Sequence, residues 1–275
     1  MSALQTACER NIDRLYRFQR VKASELKHLF RDGLLRLSDP RYLNDPWDCR
    51  PQLHIPSEDD QDGIRRVVKW MRGVIEREQP DYPPEKLDAD EAEMMRDPWR
   101  IESTLRVSSE DIVEHVRRDY RILCVTTNPL EHLLWAHYAD SHRGVCIIFD
   151  ATQSPIDAAM AVDYSERFPT IDLSSTDDAL TGTLLSKASF WKYEDEYRLI
   201  ARERRPEIPT DFFETRDSQL IIDPRLVVGV ILGCRISERD RCAVLDAAAM
   251  APRRPAIFRA EMQRRAYELE LVKER

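Results

Sequence analysis

Four short segments lie far apart in the chain, each mixing aromatic rings with side chains that ionise or hydrogen-bond. They are Leu15-Tyr16-Arg17-Phe18, Asn44-Asp45-Pro46-Trp47-Asp48, His137-Tyr138-Ala139-Asp140-Ser141-His142 and Tyr193-Glu194-Asp195-Glu196-Tyr197-Arg198. Such mixtures suit a cleft better than a core, because rings wall a pocket while carboxylates, imidazoles and guanidiniums act inside it. Any fold that makes sense of all four must bring them to one place.

The chain around these boxes reads as α+β. Residues 14–18 alternate as a strand does, with Leu15 and Arg17 against Tyr16 and Phe18. Ser24 is placed to cap a helix carrying Leu26, Leu29 and Phe30, and Gly33 stands where a helix end favours positive φ. A second strand is expected over 34–38, followed by a polar loop over 39–48. From 56 to 120 the texture turns charged and helical, so this stretch is expected to be a helical insertion in a single α+β domain over 1–275. Further strands are expected at 121–126, 144–150, 161–164, 196–201, 227–232, 256–260 and 267–272, and helices at about 176–189 and 237–250. With no regular strand-helix alternation, the core is expected to be a mixed, mostly antiparallel sheet with flanking helices.

Composition narrows the function. Hydrophobic residues make up 42% and charged residues 33%, as in a soluble globular protein. No apolar run could span a bilayer and no secretory stretch opens the chain, so a cytoplasmic protein without membrane contact is expected. The six cysteines form no C-x-x-C pair and read as reduced thiols. Seven glycines cannot build a glycine-rich phosphate cradle, and no motif of a Rossmann dehydrogenase, P-loop NTPase, zincin or α/β-hydrolase is present. A net charge of −8 disfavours a protein dedicated to nucleic-acid backbones. Local basic runs remain at Arg202-Glu203-Arg204-Arg205 and Pro252-Arg253-Arg254-Pro255.

Within the boxes, a strand would set Glu194, Glu196 and Arg198 on one side and Tyr193, Tyr197 and Leu199 on the other. Paired carboxylates repel, raising one pKa, while an adjacent guanidinium keeps the other ionised. An ionised glutamate can then bond a sugar hydroxyl and stabilise positive charge at an anomeric carbon, the alternative being an exposed Glu–Arg ladder. Arg17 is able to grip an anion bidentately or to lie on the surface. Ser38 serves a ligand or a turn. Pro46 stiffens the second box, so Asn44, Asp45 and Asp48 either face a ligand or close an Asx turn, and Trp47 packs in the core or platforms a ring. His137 falls on the apolar side of its helix, where a buried imidazole bonded to a loop is expected. Its five-residue offset from His142 suits a shared metal poorly.

Together the boxes resemble those of a bacterial family known as domain of unknown function twenty-nine seventy-one, over residues 14 to 235. The resembling segments are Leu15 to Phe18, Asn44 to Asp48, Trp135 to Gly144 with Asp150 closing the next strand, and Trp191 to Arg198. More distantly, an opening strand-helix-strand with Arg17 first, Ser38 later and Glu194-x-Glu196 on a late strand is similar to ADP-ribosyltransferases. That resemblance implies NAD as substrate, with Arg17 and Ser38 helping to hold it, Glu196 catalytic and Glu194 orienting or activating the acceptor. Tyr16, Tyr42 and Trp47 would flank nicotinamide. Here the usual aromatic-[ST]-T-S pattern is reduced to Leu37-Ser38-Asp39, and the His137–His142 box has no counterpart. The leading expectation is therefore an NAD-using ADP-ribosyltransferase-like enzyme, a toxin or phage-defence effector, modifying a protein or nucleic-acid acceptor. The alternatives are a metal-dependent hydrolase or nuclease built on Asp45, Asp48, Asp140, His137 and His142, and a non-catalytic ligand sensor.

Overall fold

The computed structural model describes residues 5–50, 52–53, 56–57, 59–167, 170–171, 177–204 and 212–274. Arg205, in the first basic run, lies outside them. The chain opens as β1 (Arg14–Gln19), α1 (Ala23–Asp32) and β2 (Leu34–Arg36). After a short strand β3 (Gln52–Leu53) come α2 (Gln61–Glu78), α3 (Pro84–Arg96) and α4 (Pro98–Asp119), which make the charged stretch before Tyr120 helical. Then follow β4 (Tyr120–Thr126), α5 (His132–Tyr138), β5 (Val145–Asp150), β6 (Met160–Ala161), β7 (Asp163–Ser165) and β8 (Thr170–Ile171). The last third holds α6 (Asp177–Leu184), β9 (Ser186–Ala188), β10 (Glu196–Glu203), β11 (Phe213–Thr215) and β12 (Gln219–Ile221). It ends in β13 (Val227–Leu232), α7 (Glu238–Ala248), β14 (Ala256–Met262) and β15 (Leu269–Lys273).

The architecture is α+β. One sheet runs in the order β11-β10-β4-β1-β5-β13-β14-β15, with β6 also on β10. Among the described residues, only β10–β11 and β13–β14 pair in parallel in this sheet. Period-two alternation sorts the central strands onto two faces. Leu15, Ile147, Phe149, Val230 and Leu232 face α1 and α7 in the main core. On the other face, Ile122 and Ile200 pack with Val116 of α4, while Cys146, Ile148 and Ile231 pack with Trp135 of α5. Two apolar clusters therefore flank a stretch of that face where Cys124, Thr126, Glu196 and Arg198 stand in register, Glu196 opposite Thr126 and Arg198 opposite Cys124.

The sheet parts beside this stretch. β1 pairs with β5 along all six residues but meets β4 at one position, Tyr16 opposite Thr126. Ser38 takes over as bridge to Ile122 of β4. β1 and β4 diverge beyond Tyr16, where Arg17 and Phe18 stay paired to β5 but have no partner in β4, and an opening forms between the two strands.

Three local expectations are corrected. Lys22, not Ser24, is the α1 N-cap, and no side chain caps that end. The 161–164 strand is two pieces, β6 and β7, each bonded to a different partner. Residues 185–189 leave the helix, so that β9 forms and carries Lys187 into the interior. Among the described residues no helix is long and apolar enough to cross a membrane.

Gly33 ends α1 at φ +70, and its N–H reaches the carbonyls of His28 and Leu29. A Cβ there would sit 1.9 Å from the Ile222 carbonyl oxygen. Gly33→Ala therefore adds left-handed strain to a backbone clash and is expected to cost about 2 kcal/mol or more. Urea denaturation checks this; an unchanged midpoint would contradict the assigned geometry.

Candidate functional site

The opening between β1 and β4 leads into a cavity of about 350 Å³ whose wall includes Arg17, Tyr42, Asn44, His137, Lys187 and Glu196. All four sequence boxes reach it. Tyr16, Ser38, Asp48, Tyr138 and Glu194 also line it. Arg198 lies directly beneath, fully buried.

The floor is a charged cluster. Arg198 presents its fork to two carboxylates: Nη1 and Nη2 donate to Asp48 (2.8 and 2.6 Å), while Nε and Nη2 donate to Glu196 (2.9 and 3.1 Å). Its Nη1 also donates to the Leu184 carbonyl (2.6 Å). Lys187 Nζ donates to Glu196 Oε2 (3.0 Å) and to Glu194 Oε2, lies 3.9 Å from Asp48, and sits over the Trp191 ring. Tyr138 donates to Glu194 Oε1 (2.7 Å) and lies 3.2 Å from Asn44 Oδ1. Three carboxylates thus meet two cations in a buried setting, where unpaired charge is costly.

The excess negative charge separates the two glutamates. Burial opposes ionisation of Glu196, but Arg198 and Lys187 overcome it and hold the carboxyl down to about 2. Burial pushes the Glu194 carboxyl up, with Glu196 adding to the rise and Lys187 opposing it. Burial alone would lower the Lys187 ammonium; the two glutamates raise it instead. The pair of carboxylates is consequently one fixed anion and one group closer to gaining a proton.

Arg17 stands apart from this network. Among the described residues no carboxylate pairs with it and no hydrogen bond reaches its guanidinium, and burial lowers its pKa. A guanidinium without a partner in a cavity wall can pair with an anion that offers two acceptor oxygens. The neighbouring hollow of about 370 Å³ shares Arg17, Phe18, Ser38, Tyr42 and Tyr138, so the cleft extends past Arg17.

Several residues stand elsewhere than the sequence implied. Glu194 is not on the strand: it ends a 3-10 turn, and Asp195 in the left-handed region (φ 43) swings it back beside Glu196. His137 is exposed rather than buried, edge-on to Tyr138 and Trp191. Trp47 is 62% exposed and lines an adjoining hollow with Asp45, not the cavity itself. Asp45 does close an Asx turn, accepting from the Trp47 N–H (2.9 Å), and its other oxygen accepts from Trp191 (2.8 Å). His142 lies beyond α5, stacked on Trp135 and lining a different hollow. Asp140 pairs with Arg143. Among the described residues no three His, Cys, Asp or Glu side chains converge as a metal ion requires. Lys187 was missed; a lone lysine between Ser186 and Ala188 carries no periodic signal.

Comparison with models of protein families, with curated proteins and with solved structures finds no match. The reading of the site rests on its own geometry.

The Glu196 shift sets an acid limb of stability. Its folded value of about 2 lies below the ordinary 4.5, so ionised Glu196 favours the folded state, a contribution fully present above pH 4.5 and lost as the pH falls towards 2. Glu194 runs the other way, favouring the folded state most when protonated. Urea midpoints against pH should fall below 4.5 in the wild type, and Glu196→Gln should flatten that fall. Lys187→Met, which leaves three carboxylates on one guanidinium, is expected to cost about 3–5 kcal/mol at neutral pH. A neutral outcome for Lys187→Met would contradict the cluster.

Proposed function

We propose that the chain is an ADP-ribosyltransferase-like enzyme that takes NAD as substrate and breaks its bond to nicotinamide. The observation that carries this reading is the meeting, in one cavity, of an unpaired guanidinium, Arg17, with the ionised Glu196. The pyrophosphate of a dinucleotide supplies the anion that Arg17 lacks. Of the three rings that the resemblance implies, Tyr16 and Tyr42 line the cavity and could flank nicotinamide, whereas Trp47 lines the adjoining hollow.

When the glycosidic C–N bond breaks, its electron pair leaves with nicotinamide and positive charge develops on the ribose ring. Glu196 is fixed as an anion by Arg198 and Lys187, so its field is present before the reaction begins and costs no rearrangement during it. Glu194 has the raised pKa and a hydrogen bond to Tyr138, which suits it to take the proton of an attacking protein or nucleic-acid acceptor. The metal-hydrolase alternative finds less support, because Asp48, Asp140 and His142 are each committed to different surroundings.

Incubation with NAD should release nicotinamide, measured chromatographically. Glu196→Gln should slow release at least about 100-fold while the far-UV dichroism stays native. Release by the variant at the wild-type rate, or none by the wild type, would overturn the reading. NAD that raises the melting temperature yet stays intact would point to the ligand-sensing alternative.

A further inference from the structure

The His137–His142 box faces two ways. His137 and Tyr138 reach the cavity described above, whereas His132 and His142 line a second, larger hollow of about 840 Å³ beside the β14–β15 hairpin. Nothing in the proposed reaction uses this second hollow.

Its construction is costly. Asp140, Ser141 and His142 all hold positive φ (49, 55 and 67), a run that non-glycine residues adopt only when the surroundings impose it. The turn is fixed by the Trp135 carbonyl, which accepts from the His142 N–H (3.1 Å), and by the Arg235 N–H, which donates to the His142 carbonyl (3.0 Å). The His142 ring stacks on Trp135, and its Nδ1 is buried with no hydrogen-bond partner among the described residues. Strain and an unsatisfied ring nitrogen on one residue call for an explanation beyond the turn itself and direct attention to the hollow that His142 lines.

The lining supplies a matching chemistry. In a chain of net charge −8, three guanidiniums, Arg235, Arg264 and Arg265, face this hollow against a single carboxylate, Glu268. None of the three is paired among the described residues. Tyr267 lines the same hollow with its ring fully exposed. Forked cations suit phosphate oxygens, and an exposed ring next to them suits a planar base.

We propose that this hollow binds a nucleotide unit, its phosphate held by Arg235, Arg264 and Arg265 and its base stacked on Tyr267. The unit is a free mononucleotide or the phosphorylated end of a single strand; both present the same phosphate and base. The site is independent of NAD cleavage, so its test needs no turnover.

Binding of AMP by calorimetry, and of a 5′-phosphorylated single-stranded oligonucleotide by fluorescence anisotropy, should both be measured. At least one should bind the wild type with a Kd below about 1 mM. Arg264→Glu combined with Arg265→Glu should weaken binding at least tenfold, as about two lost phosphate contacts would, and Tyr267→Ala about fivefold or more. Arg17→Met, in the first cleft, should retain it. Equal affinity for both ligands identifies a mononucleotide site. A tighter, steeply salt-dependent oligonucleotide identifies a strand site. No binding by the wild type, or affinity unchanged by the double charge reversal, would overturn the proposal.

Discussion

Arg198 holds the site together. Its buried guanidinium bonds Asp48 from the second box, Glu196 from its own strand and the Leu184 carbonyl at the end of α6. A planar fork with five donors can satisfy this many acceptors at fixed angles; a lysine in its place would supply one point charge. The loop over 39–48 is anchored at its start by the buried Pro40 and by Leu43 against the Ile122–Ile200 cluster, and at its end by the bidentate bond from Arg198 to Asp48. Through that loop Asn44 and Tyr42 gain their positions, so the cavity wall depends on a contact on its floor.

The same cluster shapes the electrostatics above it. Three carboxylates against Lys187 and Arg198 leave one negative charge in excess when all are ionised, and the unpaired Arg17 lines the same cavity. The molecule thus keeps an anion and a cation apart within a partly desolvated space, where each is worth more to a ligand than on an open surface. The parting of β1 from β4 creates that space. A continuous β1–β4 ladder would have closed the gap.

Much of the fold was legible. β13 runs from Val227 to Leu232 as its apolar texture implied, β1, β5 and β10 lie close to their expected bounds, and the charged stretch before Tyr120 is three helices with a small core of their own. Gly33 marks the end of α1 because positive φ leaves few other choices. Each box does send at least two residues to the cavity, although Trp47, Asp140 and His142 of the same boxes serve elsewhere. Less visible were features fixed by tertiary contact. Lys187 is recognisable as an interior cation only once Glu194 and Glu196 surround it. Glu194 reaches its partner through a left-handed Asp195, which no propensity foretells. His137 lost the apolar face of α5 to Leu134 and Trp135, because the short helix docks through Trp135 against Phe18 and the second-face core. Trp47 was left outside by the Asx turn that Asp45 makes with it.

The central claim is that the unpaired Arg17 guanidinium and the anionic floor form one ligand cavity. Calorimetric titration with ADP-ribose, which carries the pyrophosphate without the bond to be broken, tests it most directly. The account predicts binding by the wild type and a loss of at least about tenfold in Arg17→Met, the removal of a bidentate charge-assisted contact. Equal affinity of the two proteins would contradict it.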